Sequence, residues 1–312
     1  MFSDDLHPLN KLRTTNLYTD DFPSQTDMTG HWDASNTSSY GGSGTTWTNL
    51  VNYYGSPYDR DLTLHGGISF ASDSSKSYFT CDGTDDYIGA QTGGYSAGWQ
   101  VDHSKDFTVI VWVKSPSSWS SEETTNSALF ATGDLGDAQE GAGYSYGTAM
   151  KWGSNTDSLL EAGTDTSYAN LAVDWYTPPP ELGAGQHSLK CPDSTIVTPD
   201  RWYMLSIVKR HLEYAGPDVS GFTRFYKNGL FIPLSENLTF GANEDTSVTE
   251  GKIGRDSEGF GNLSLGRIYN DSDEYDYAAD GVGFSIVWCW KRALKHSEII
   301  SAFNHKKSFF GA

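Results

Sequence analysis

Apolar side chains arrive along this chain in short runs of strand length, separated by clusters of Gly, Asn, Asp, Ser and Thr. The strand signals begin near Gly66 with Gly67–Phe70 and then Ser77–Cys81, which leads into Asp82-Gly83-Thr84-Asp85-Asp86-Tyr87-Ile88. Phe107–Val113 carries large side chains at both odd and even positions, so it predicts an inner strand covered on both faces. Trp202–Val208, Leu263–Arg267 and Gly283–Trp290 are further strands. Within Phe222–Ile232, Asn228-Gly229 separates two apolar runs and predicts a tight hairpin, because both residues tolerate positive φ. Residues 116–198 are loop-rich, with Pro178-Pro179-Pro180 as a rigid stop and only short strand pieces at Ala128–Phe130 and Ala149–Trp152. One helix is predicted over Ser297–Asn304, where Leu294, Ile299 or Ile300 and Phe303 recur at helical spacing and Ser297 or His296 can cap. Residues 1–27 are polar with sparse anchors at Leu6, Leu9, Leu12, Leu17 and Phe22, and are read as an extended arm that orders on a neighbour. The remainder, 28–312, is read as one all-β domain: two packed antiparallel sheets with one short C-terminal helix.

Composition supports this reading. Hydrophobic residues make up 37% of the 312, enough for a sizeable core, and 33 glycines supply the turns. The formal net charge of −19 repels phosphate, which argues against nucleic acid and against an anionic membrane surface. Met1–Asp5 lacks a basic stretch followed by an apolar run, so no secretory signal is expected. No stretch reaches the about 20 apolar residues that a spanning helix needs. Cys81, Cys191 and Cys289 are odd in number and widely spaced, which predicts free thiols and assembly in a cytoplasm. The sequons at Asn36, Asn237, Asn262 and Asn270 are then chance products of a Ser/Thr/Asn-rich sequence.

Six segments in order resemble the laminin-G-like, concanavalin-A-like jelly roll. They are Phe79–Ile88, Phe107–Val113, Trp202–Val208, Phe225-Tyr226-Lys227-Asn228-Gly229, Leu265-Gly266-Arg267, and Trp290–Leu294 with Ser297-Glu298-Ile299. The resemblance implies a lectin-like fold. It departs at Phe284-Ser285-Ile286-Val287, where members of that family often carry an acidic pair. Upstream, His31-Trp32-Asp33-Ala34-Ser35-Asn36 and Ser39–Leu50 resemble a leader found before such jelly rolls in structural proteins of tailed phages, marine ones especially. That resemblance implies a virion protein assembled in the host cytoplasm and placed outside the particle, as capsid decoration or tail or fibre component. Its partners would be other virion proteins and further copies of itself. The alternative is a carbohydrate-binding or host-receptor-binding lectin module facing a cell-surface glycan.

The chemistry-bearing residues are few. Asp82, Asp85 and Asp86 cluster in a turn whose hard oxygen donors suit Ca²⁺, or else cap the turn through backbone hydrogen bonds. Asp271, Asp273 and Asp276 form a second acidic group. Tyr144, Tyr146, Trp152 and Trp175 are candidate sugar-stacking residues, among loop aromatics that include Trp119, Tyr168 and Tyr176. Glycoside hydrolysis needs paired carboxylates on one face, and the nearest match, Glu274-Tyr275-Asp276, lacks a third acid. The sequence therefore predicts binding or structure, not catalysis, and no cofactor beyond a candidate Ca²⁺.

Overall fold

The computed structural model describes residues 22–51, 61–73, 76–89, 101–102, 105–118, 127–132, 148–152, 171–177, 185–190, 197–211, 221–233, 251–253, 260–261, 263–269 and 275–312. Two antiparallel sheets face each other. Across the first, the strand order is Leu230–Ile232, Gly221–Lys227, Trp202–His211, Phe107–Lys114, Gly283–Trp290, Lys76–Thr80 and Ser69–Asp73. Met28–Asp33 adds to Gly283–Trp290, and Gly251–Ile253 to Gly221–Lys227. Across the second, the order is Gly185–Lys190, Leu171–Thr177, Thr148–Trp152, Ser127–Thr132, Leu263–Leu265, Tyr87–Gly89, Leu62–His65 and Thr46–Trp47. Sequence neighbours repeatedly cross between sheets, and among the described residues one helix, His296–Phe310, follows the last strand.

Phe107–Lys114 takes the inner position expected for it, between Trp202–His211 and Gly283–Trp290. Phe107, Val109, Val111 and Val113 enter the core between the sheets, while Ile110 and Trp112 enter a second core under the helix. Period-2 alternation thus buries one strand twice. Gly283–Trp290 reaches the same result through a bulge between Phe284 and Ile286. The extra residue reverses the phase, so Phe284, Val287 and Cys289 face inward while Ile286, Trp288 and Trp290 face the helix. Ser285, at the bulge, donates its hydroxyl to Ser77 O at 2.7 Å and accepts Ala34 N–H at 2.9 Å. Asn228 (φ 51°) and Gly229 (φ 80°) form the expected two-residue hairpin, with Lys227 opposite Leu230.

Other elements depart from the sequence reading. The leader is itself a strand that pairs with Gly283–Trp290, and Trp32, Tyr40 and Trp47 are core residues. Phe79 gathers two of them, at 4.8 Å from Tyr40 and 4.9 Å from Trp47. Residues 22–27, assigned to the arm, pack on the sandwich: the Phe22 ring lies 4.8 Å from Trp288, and Ser24 O accepts the Trp290 indole N–H at 3.1 Å. Leu171–Thr177 and Gly185–Lys190 are strands that pair antiparallel within the region read as loop-rich. The helix runs past Asn304 to Phe310, and its N-cap is Lys295, not Ser297 or His296.

The outward face of the second sheet has a row of small side chains across five strands: Thr63, Gly89, Ser264, Ala131 and Ala149. A small hairpin, Arg267–Tyr269 with Tyr275–Tyr277, lies beside it, and its Ile268 packs with Ala128, Ala131 and Ala149.

Candidate functional site: an acidic turn at one rim

The Cys81–Asp86 turn carries the chain from the first sheet (Lys76–Thr80) to the second (Tyr87–Gly89), so it sits at a rim of the sandwich. It is fastened to the turn before the last strand: Cys81 N–H donates to Val282 O at 3.0 Å and Gly281 N–H to Cys81 O at 2.9 Å. Gly83 has φ 83°, and a Cβ there would lie 3.0 Å from Asp280 N, so glycine allows the two turns to touch. Asp280, exposed at that contact, was not singled out by the sequence. The Asp280-Gly281 dipeptide signals a turn but not its neighbour in space.

Asp82, Asp85 and Asp86, expected to cluster, are brought together: one carboxylate oxygen of each lies within 4.8 Å of the others. Capping accounts for part of the set. Asp82 Oδ1 accepts Thr84 N–H and Asp86 Oδ2 accepts Asp82 N–H, both at 2.9 Å. Asp82 and Asp85 are exposed, whereas Asp86 is 2% exposed and its Oδ1 is buried with no hydrogen-bond partner. Burial pushes the Asp86 carboxyl above the usual carboxylate range; the Asp82 N–H opposes this, and the Asp82 and Asp85 charges add to it.

Beside the turn, Tyr87 stacks face to face on its cross-strand partner His65, with centroids 4.2 Å apart and 8° between planes. The Arg267 guanidinium lies 3.6 Å over the Tyr87 ring. Burial, and then Arg267, lowers the His65 pKa, and His65 Nε2 is buried without a partner. With His65 and Arg267 against it and 9% exposure, Tyr87 offers no open face to a sugar.

The aromatic candidates fare differently. Trp152 is 0% exposed and packs edge-on to Tyr203 at 6.4 Å inside the core, so it is a core residue and not a stacking platform. The inward position in Thr148–Trp152 decides this; Ala149–Trp152 reads as a short strand in the sequence, but which of its faces is covered does not show there. Trp175 lies in Leu171–Thr177 opposite Thr148 and His187. Tyr144, Tyr146, Asp271, Asp273 and Glu274 lie outside the described residues, as do Trp119, Tyr168, Cys191 and residues 1–21. Asp276 pairs across the small hairpin with Ile268. Cys81 and Cys289 are buried free thiols.

No family model and no curated protein matches the sequence. Solved structures match in fold. A Trypanosoma rangeli sialidase, solved with a difluorinated sialic-acid-type sugar, aligns with a TM-score of 0.51 at 12% identity, over 92% of this chain and 34% of its own. This chain thus spans about a third of that sialidase. Domain 4 of a GH43 extracellular arabinanase from Geobacillus stearothermophilus, in complex with arabinotriose, gives 0.48 at 13% identity, covering 88% of this chain and 98% of that domain. The botulinum neurotoxin serotype G binding domain gives 0.48 at 11%, covering 90% and 51%. The likeness is one of fold: an antiparallel two-sheet β-sandwich of the lectin-like, jelly-roll kind.

Proposed function

We propose that this chain is a lectin-like binding module, without catalysis, that holds a neutral carbohydrate at the rim formed by the Cys81–Asp86 and Ala278–Val282 turns. The observation that carries this reading is where polar chemistry stays accessible. The first sheet packs apolar side chains on both faces, and Ile268 packs on the described centre of the second sheet's outward face. Contact with a ligand is thereby left to the connecting turns, where Asp82, Asp85 and Asp280 are exposed. Carboxylates there accept hydrogen bonds from sugar hydroxyls. A net charge of −19 disfavours sulfated, phosphorylated or sialylated ligands and favours an uncharged polyol.

The test is retention of the full chain on immobilised neutral polysaccharides, compared with the double variant Asp85→Ala/Asp280→Ala. Both side chains are exposed in turns, so the fold should persist. Retention is expected to fall at least about tenfold with an unchanged Tm, since each lost charged hydrogen bond contributes about 1.5–3 kcal/mol. Unchanged retention would place the ligand elsewhere.

A second reading, a tailed-phage virion protein in a decoration, tail or fibre role, is carried by the leader His31–Leu50 and its resemblance to leaders of such proteins. Quantitative mass spectrometry of purified particles tests it: many copies per particle indicate head decoration, few indicate a tail or fibre, and none removes the reading.

A further inference from the structure

We propose that residues 22–27 form an acid-sensitive latch, released from Trp288 and Trp290 when His31 and His305 take up protons. The geometry behind it is a ring cluster assembled from separate parts of the chain. The Phe22 ring lies 4.8 Å from Trp288, 5.9 Å from Trp290 and 5.0 Å from His305. His31 meets the same Trp288 as its cross-strand partner, with ring centroids 6.1 Å apart. Two imidazoles thus flank the contact that fastens the N-terminal segment to the sandwich. Trp288 is held in a strand paired on both sides, to Ile110 and to His31, and His305 is held in the helix. Residues 22–27 lie outside both sheets, so Phe22 is the member of the cluster that can leave without breaking strand pairing.

Charge at this junction is poorly balanced for two more cations. His31 Nε2 is buried with no hydrogen-bond partner, so a proton there would be shut away from water and from any acceptor. The one carboxylate that acts on His31 is Asp33, and its Oδ2 already lies 4.0 Å from Lys306 Nζ. Burial disfavours His31 protonation; Asp33 opposes this, while Lys306 and His305 add to it. Burial and then Lys306 disfavour protonation of the exposed His305. The other charges on the packed elements are engaged elsewhere. Asp27 pairs with Lys291 at 3.7 Å, Glu298 with Arg292 at 2.7 Å, and Lys307 donates to Asn304 at 2.8 Å. Lys295 is exposed, and His296 lies 3.2 Å from Gly229 O. Lifting Phe22 lets water reach the imidazoles, so the open latch binds protons more readily than the closed one. The closed state therefore persists above the free imidazole value near pH ~6.5 and is lost as pH falls below it. This opening is local and precedes loss of the sandwich itself.

The test is amide hydrogen exchange of the full chain at about pH 7.5 and about pH 5.5, corrected for the intrinsic rate at each pH. Two amides report the latch: Met28 N–H donates to Gln25 O at 3.0 Å, and Lys291 N–H to Asp27 O at 2.9 Å. Their protection should fall about tenfold at the lower pH, while Phe107–Lys114 keeps its own. The double variant His31→Gln/His305→Gln should hold the two amides equally protected at both pH values. Lys306→Gln removes a repelling cation and should shrink the fall. A segment held merely by the Lys306–Asp33 pair would instead loosen at both pH values in that variant. Protection independent of pH in the parent chain, a parallel fall across Phe107–Lys114, a parent-like fall in the double variant, or loosening at both pH values in Lys306→Gln would overturn the latch.

Discussion

Single residues decide much of this molecule's pH response. His31 is held below the ordinary imidazole value by burial, opposed by Asp33 and reinforced by Lys306 and His305. His305 is lowered by burial and by Lys306, and its ring lies 5.0 Å from Phe22. A folded chain that resists protonation while the unfolded chain accepts it near pH ~6.5 loses stability as pH falls through that value. Thermal unfolding should therefore show a falling Tm between about pH 7 and pH 5.5, with a shallower fall in His31→Gln. An identical slope in the variant would show that His31 does not contribute to the fall. Asp86 acts in the opposite sense at lower pH, since its raised carboxyl value means that protonation relieves the folded state. Asp82, Asp85 and Asp86 were legible in the sequence because their cluster is local. Asp280 and Arg267 were not, because their approach to Gly83 and Tyr87 is set by strand pairing across nearly two hundred residues.

At the scale of elements, the helix is held by two devices. Glu298 accepts the Lys295 N–H at 2.9 Å and grips Arg292 at 2.7 and 2.9 Å, which draws its carboxyl below the usual range. Glu298→Ala should cost about 1–2 kcal/mol by chemical denaturation, the scale of a lost helix cap with a partly buried ion pair. At the other end, Phe310 stacks 4.2 Å from Trp112 with 17° between planes, and Phe310→Ala should cost about 3 kcal/mol. Either variant unfolding at the parent's denaturant midpoint would contradict these contacts. The helix start was legible from the spacing of Leu294, Ile299 and Phe303. Its last turns were obscured by Lys306-Lys307-Ser308, although Phe303 and Phe310, seven apart, mark the same face. The bulge at Ser285 was not legible either. It shows only as adjacent apolar residues in Gly283–Trp290, which an inner strand also displays.

For the whole molecule, the two-sheet sandwich was legible from strand-length apolar runs and from six segments that resemble a known jelly roll in the same order, the last of them leading into the helix. The leader's place in the core was missed because Trp32, Tyr40 and Trp47 sit among Ser, Thr and Gly, and only the completed sheets show what they fill. The attachment of residues 22–27 makes a further prediction. Removing residues 1–27 should lower the Tm below that of the chain shortened by residues 1–21, since the partly buried Phe22 ring packs on Trp288, a contact that contributes up to about 3 kcal/mol. Equal Tm values for the two truncations would contradict that docking. Cys81 and Cys289 should react with a thiol reagent only after unfolding, because burial raises both thiols far above their ordinary values. The proposed function is carbohydrate binding without cleavage. It is tested most directly by native affinity electrophoresis of the full chain through neutral polysaccharides, run beside a reducing-end assay on the same sugars. Retardation by at least one polysaccharide with no new reducing ends is the predicted result. Release of reducing ends, or unretarded migration through every polysaccharide, would contradict it.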